Sequence, residues 1–134
     1  MLRILLDTNI LISGLLYAGK PRKLIEMVMD GRIEIVSSID MITELKEVLS
    51  RDKFGLNIDE QIKLVDFVVR LSHIVVLKSN FRIASDPDDD MVVNTAYDGN
   101  AKYIISGDHH LLDLIEFRGI KIITANGMLH LLGK

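Results

Sequence analysis

Four stretches of the 134-residue chain place carboxylates where they could act together. Asp7 directly follows the apolar run Arg3-Ile4-Leu5-Leu6, and Asp108 follows Tyr103-Ile104-Ile105-Ser106 after a single glycine. Asp86-Pro87-Asp88-Asp89-Asp90 opens the stretch that leads into that second run, and Glu44 sits inside an amphipathic segment. If such carboxylates meet, each unneutralised pair repels by about 4 kcal/mol at ~4 Å and an effective dielectric near 20. The cluster must then be protonated, splayed into water or filled by a cation. Hard oxygen donors in a chain with no cysteine favour magnesium or manganese over zinc.

The elements that would position these acids follow from the apolar pattern. Residues 3–6, 33–36, 74–77, 103–106 and 120–123 read as short strands, and the stretches between them as helices. The expected helices run from Ile10 to Tyr17, from Pro21 to Asp30, from Ser38 or Asp40 to about Arg51, and from a cap at Asp59 to about Ser72. A loop and helix follow over 86–99, then a short helix from His109 to Phe117 and a small terminal one. Strands that are nearly continuous apolar runs and alternate with helices indicate parallel pairing with both sheet faces covered. The fold class is α/β: a parallel, about five-stranded sheet flanked by helices on both faces, in one domain spanning 1–134. Ligands of such sheets bind at the carboxyl ends of the strands, which is where Asp7 and Asp108 fall.

Each acid also has a plain structural role. Asp7 and Asp108 can cap the helices that follow them, and Asp86 reads as a cap with Pro87 in the first turn. Asp88, Asp89 and Asp90 then complement the helix dipole, and one of this first turn is the candidate to face the cleft. Around Glu44, the residues Met41, Ile42, Leu45, Val48 and Leu49 form an apolar stripe. At about 100° per residue Glu44 lies on its flank, with Lys46 and Glu47 further out. The functional reading rests on joint placement, not on any single residue.

Composition narrows the alternatives. The absence of cysteine excludes disulfide scaffolds, thiol nucleophiles and thiolate metal sites. A net charge of −3 argues against a surface coated in basic residues, yet carboxylates that hold a metal count as negative while their ion does not. No Ser-His-Asp arrangement forms around Thr8, Ser37, Ser38 or Ser106, and no GxGxxG or Walker A run occurs. His109 and His110 read as surface or capping residues, and His73 and His130 have no evident partner. No apolar run reaches the ~20 residues of a membrane helix, and Asp7 interrupts the first one too early for a signal peptide, so the expected compartment is the cytoplasm.

With Leu5-Leu6-Asp7-Thr8-Asn9-Ile10, Glu44, Asp86-Pro87-Asp88-Asp89-Asp90 and Ile104-Ile105-Ser106-Gly107-Asp108 before Leu111-Leu112, the sequence resembles a PIN domain, specifically the PIN toxins of prokaryotic VapBC-like toxin–antitoxin modules. The fragments occur in the right order and spacing through essentially the whole chain. The resemblance implies an acidic pocket for Mg²⁺ or Mn²⁺ and endonuclease activity on RNA. By position, Asp7, Glu44, Asp89 and Asp108 match its catalytic and metal-binding residues, with Asp90 the alternative to Asp89. Relatives often carry a further Asp where this chain has His110, which bears on whether one or two metals bind.

On that reading Asp7, Asp89 and Asp108 would ligate metal. Glu44 would ligate it or orient the attacking water, and Asn9 would hold the Asp7 loop. Lys20/Arg22/Lys23 and Arg51/Lys53 would track the RNA backbone, or simply be solvated helix ends. Aromatic content of 5% with no tryptophan does not support extensive base stacking. The resemblance also implies a cognate antitoxin, and the apolar face Ile62, Val65, Val69 suggests a homodimer. Receiver-like phosphoacceptors and haloacid-dehalogenase phosphatases want a second acid near Asp7 where Asn9 stands. The closer rival is a non-catalytic metal- or RNA-binding module of the same fold that acts through a protein partner.

Overall fold

The computed structural model describes residues 1–83 and 86–134. In chain order the elements are β1 (Arg3–Leu6), α1 (Thr8–Leu16), α2 (Lys20–Met29), β2 (Glu34–Ser38), α3 (Ile39–Leu49), α4 (Ile58–Leu71) and β3 (Ser72–Val75). They continue with α5 (Pro87–Asp98), β4 (Tyr103–Ile105), α6 (His109–Leu112), β5 (Glu116–Phe117), β6 (Ile120–Ile123) and α7 (Ala125–Leu131). The sheet order is β3-β2-β1-β4-β6-β5. All pairs are parallel except β5 against β6.

The chain first builds outward from β1 through β2 to β3, then crosses back to lay β4 on the other side of β1. The carboxyl ends of β1 and β4 therefore flank the point where strand order reverses, the crevice in which open α/β sheets bind ligands. Alternation along the strands feeds two cores. Ile4, Leu6, Ile35 and Ile105 face the layer of α1, α2, α3, α4 and α7. Leu5, Val36 and Ile104 face α5 and α6, with Val92, Val93, Ala96 and Leu111 packed against them. Both faces are covered, which explains why the strands read as unbroken apolar runs. Close approach of α1 and α2 depends on Gly14, where a Cβ would stand 2.5 Å from Ile25 Cδ1 and 3.0 Å from the Pro21 carbonyl carbon.

Four expectations need correction. Among the described residues the sheet has six strands where about five were expected, because 109–117 is not one helix. After Leu112 the chain turns, Ile115 takes a left-handed φ of 64°, and Glu116–Phe117 forms an edge strand. Arg118 and Gly119, at φ 48° and 84°, form the two-residue turn that closes the hairpin to β6. The helix expected from Asp59 starts earlier. Asn57 Oδ1 accepts from Glu60 N at 2.8 Å while Glu60 Oε1 accepts from Asn57 N at 3.0 Å, a reciprocal cap. The strand expected over 74–77 is Ser72–Val75, since its pairing runs from Ser72 opposite Ile35 to Val75 opposite Ser38, where β2 ends. The first helix begins at Thr8, directly after its cap Asp7. Of the two caps open for α3, Ser38 is the one used, its hydroxyl accepting from Met41 N at 3.2 Å.

Candidate active site at the carboxyl edge of the sheet

Asp7 leaves the end of the central strand and caps α1: Ile10 N donates to Oδ1 at 2.9 Å, and Asp7 N donates to Ile105 O at 3.1 Å. Its other carboxylate oxygen accepts from the Ser106 hydroxyl. Ser106 is itself fully buried and accepts from Asp108 N at 3.0 Å. One hydroxyl thus joins the ends of β1 and β4. Asp108 caps α6 by accepting from His110 N at 3.0 Å. Asp89, in the first turn of α5, is 7% exposed, and Asp86 caps that helix by accepting from Asp88 N at 2.9 Å. Glu44 is half-buried on the flank of α3 and lines the same cavity wall as Thr8, whose side chain favours the charged form of its carboxyl.

These side chains line one cavity of about 160 Å³, whose walls are Asp7, Thr8, Asn9, Glu44, Asp86, Asp88, Asp89, Val92, Asp108 and Leu111. Asp7, Glu44, Asp89 and Asp108, far apart in sequence, are brought together there. Asp90 is not among the lining residues. It is turned toward the preceding segment, where its Oδ1 accepts from Ile83 N at 2.9 Å. Asn9 lines the cavity but is exposed, and the hydrogen bonds that fix the Asp7 carboxylate come from Ile10 and Ser106. Two acids of the first turn of α5, Asp88 as well as Asp89, line the cavity where one was expected, and Thr8 and Ser106 had no expected role there. Their signal was position: Thr8 and Ser106 adjoin the strand ends, and Asp88 shares a helical turn with Asp89.

The charges feel one another. Burial raises the pKa of Asp7, against the lowering bonds from Ser106 and Ile10, and Asp108 raises it further. Burial likewise raises Glu44, opposed by Thr8 and reinforced by Asp88 and Asp7. Asp89 is raised by burial first, then by Asp108 and Asp86, while His110 lowers it. All three directions come first from burial, with neighbouring carboxylates adding to it. An all-oxygen, multiply acidic cavity is the donor chemistry of a hard divalent cation. Among the described residues, no three acidic or histidine side chains close into a metal-holding group. The residues fit such an ion in type and location, and their side chains would have to draw inward to ligate it.

The basic clusters separate. Arg22 turns back to the end of α1, donating from Nε to Gly14 O and from Nη2 to Leu15 O, both at 3.0 Å. Lys20 and Lys23 instead line a small cavity against α7. Arg51 pairs with Glu47 at 3.0 Å, and Lys53 lies over the Phe54 ring. Along α4, Ile62 and Val69 are exposed, whereas Val65 is buried.

Residues 3–110 match the family model for the PIN domain. The chain belongs to the PIN domain family. It is 26% identical over 117 residues to the uncharacterized protein MJ1680 of Methanocaldococcus jannaschii, covering 84% of this chain and 75% of that protein. Its fold is similar to a chain in the crystal structure of VapBC2 from Rickettsia felis bound to a promoter DNA fragment, with a TM-score of 0.64 at 13% identity over 90% of this chain and 97% of that one. It is also similar to PAE2754 from Pyrobaculum aerophilum, with a TM-score of 0.62 at 12% identity over 99% and 97%.

Proposed function

We propose that the protein is an Mg²⁺- or Mn²⁺-dependent endoribonuclease, the toxin of a toxin–antitoxin pair, acting in the cytoplasm on RNA with a cognate antitoxin as protein partner. The observation that carries this reading is that Asp7, Glu44, Asp89 and Asp108, from four separate segments, line one cavity at the strand-order reversal. Membership of the PIN family and the fold likeness to VapBC2 support it. Among the described residues no helix is long and apolar enough to cross a membrane, which is compatible with that compartment.

Asp7, Asp89 and Asp108 would hold the cation, with Glu44 at its edge. Bound there, it would polarise the phosphodiester, lower the pKa of a water and neutralise charge on the departing oxygen. Glu44 orients the attacking water and takes its proton, and a carboxylate whose pKa is raised is the stronger base for that step. Ser106 keeps Asp7 and the Asp108 backbone in register. Cleavage of a labelled RNA in Mn²⁺ tests the assignment: Asp7→Asn should abolish it, and survival of full activity removes Asp7 from catalysis.

One observation favours the rival module without catalysis, namely that no three of these groups close into a ligand set among the described residues. On that reading wild type leaves RNA intact in both metals.

A further inference from the structure

On the face opposite α5, the start of α2 and the length of α7 enclose a cavity of about 120 Å³ lined by Lys20, Lys23, Asn126, Leu129, His130 and Lys134. No carboxylate side chain lines it, and among the described residues none of its lysines forms an ion pair. Three lysines thus line one cavity together with an amide and an imidazole, in a chain of net charge −3. Their mutual repulsion calls for an anion, as the acids of the other cavity call for a cation. The ten-residue helix α2 adds to this, since it begins at Gly19 with no capping side chain, which leaves its positive end uncompensated.

α7, which forms one wall of this cavity, starts at the strand edge that carries Asp108. Ser106 N donates to Ile123 O at 3.0 Å, so the end of β6 lies against the strand that delivers Asp108. Asn126 stands three residues beyond that carbonyl, in the first turn of α7. From Asp7, α1 spans about 13 Å at 1.5 Å per residue before the turn to Lys20.

We propose that this cavity binds a backbone phosphate of single-stranded RNA, a few nucleotides from the one held over the acidic cavity. The identity of the polymer rests on the ribonuclease reading; the anion preference rests on the lysines. Lys20 and Lys23 supply the charge, and Asn126 and His130 direct hydrogen bonds to the phosphate oxygens. Arg22 has no part in it, being committed to the carbonyls of α1.

Anisotropy of a fluorescein-labelled single-stranded RNA in EDTA, titrated at several salt concentrations, tests the site without cleavage. Lys20→Ala/Lys23→Ala should weaken binding about tenfold and flatten the slope of log K against log salt by roughly 1.4, the share of two phosphate contacts on a single strand. The charge-matched Lys63→Ala/Lys121→Ala should leave the slope unchanged. Equal losses in both variants, no loss in the first, or no binding by wild type would overturn the proposal. Cleavage in Mn²⁺ is scored separately. A flattened slope with a wild type that leaves RNA intact keeps the phosphate site and removes the nuclease. An unchanged slope with a wild type that cleaves does the reverse.

Discussion

Asp7 carries two duties that conflict. As a cap and as the acceptor of the Ser106 hydroxyl it holds two strand ends together, yet its charge is buried beside Asp108. Asp7→Asn keeps an acceptor for Ile10 N and removes the charge, so without metal it should raise Tm by roughly 3 °C, equivalent to ~1 kcal/mol; calorimetry in EDTA reads it. The pH dependence has a definite sign. Asp7, Glu44 and Asp89 bind protons more tightly folded than unfolded, so their stabilising contribution is complete below the ordinary carboxylate range and is lost as pH rises through their raised folded values. Asp98 works in the opposite sense. Burial disfavours its charge, but donors from Ser79 and Lys78 outweigh this and hold its pKa down, so its contribution is lost as pH falls through that lowered value. In EDTA, Tm of wild type should therefore drop as pH rises above the ordinary carboxylate range through the raised values, and Asp7→Asn should drop less.

At the scale of elements, α5 carries the site on one face and anchors the chain on another. Asp90, Asn94 and Asp98, spaced four apart, receive the segment 78–83. Asn94 Oδ1 accepts from Ser79 Oγ and Phe81 N, both at 2.8 Å, and Nδ2 donates to Phe81 O at 3.0 Å. Asp98 Oδ2 accepts from Lys78 N at 2.8 Å and Ser79 N at 3.0 Å. Asn94→Ala leaves Phe81 N–H and C=O without these partners, and urea unfolding should show a loss of about 2 kcal/mol. Asn57→Ala, which breaks the reciprocal cap of α4 away from the site, should cost ~1 kcal/mol and leave RNA cleavage unchanged.

Across the whole molecule, the acidic cavity is assembled by elements that approach from opposite faces of the sheet. Glu44 comes from α3, Asp89 from α5, and Asp7 and Asp108 from the ends of β1 and β4. A divalent ion held among them would bind only the folded chain and link all four. Saturating Mn²⁺ should raise stability by about 2.7 kcal/mol at a hundredfold excess over Kd, and Asp7→Asn should abolish the gain. A melt of wild type that does not move with metal would show that these acids hold none.

Local pattern alone carried the class of fold and the strand edge where the candidate site lies, because apolar runs flanked by caps follow from local sterics and burial. Asp7 after one strand and Asp108 after another already marked the carboxyl edge. Helix geometry likewise put Glu44 on a flank, since the stripe from Met41 to Leu49 is buried as its periodicity requires. The choice between Asp89 and Asp90 was beyond local pattern, since neighbours on a helix differ by about 100°. In the fold Asp89 lines the cavity, and Asp90 meets Ile83. The hairpin after α6 and the parting of Arg22 from Lys20 and Lys23 were settled in the same way. Each depends on a partner strand or carbonyl that only packing brings within reach.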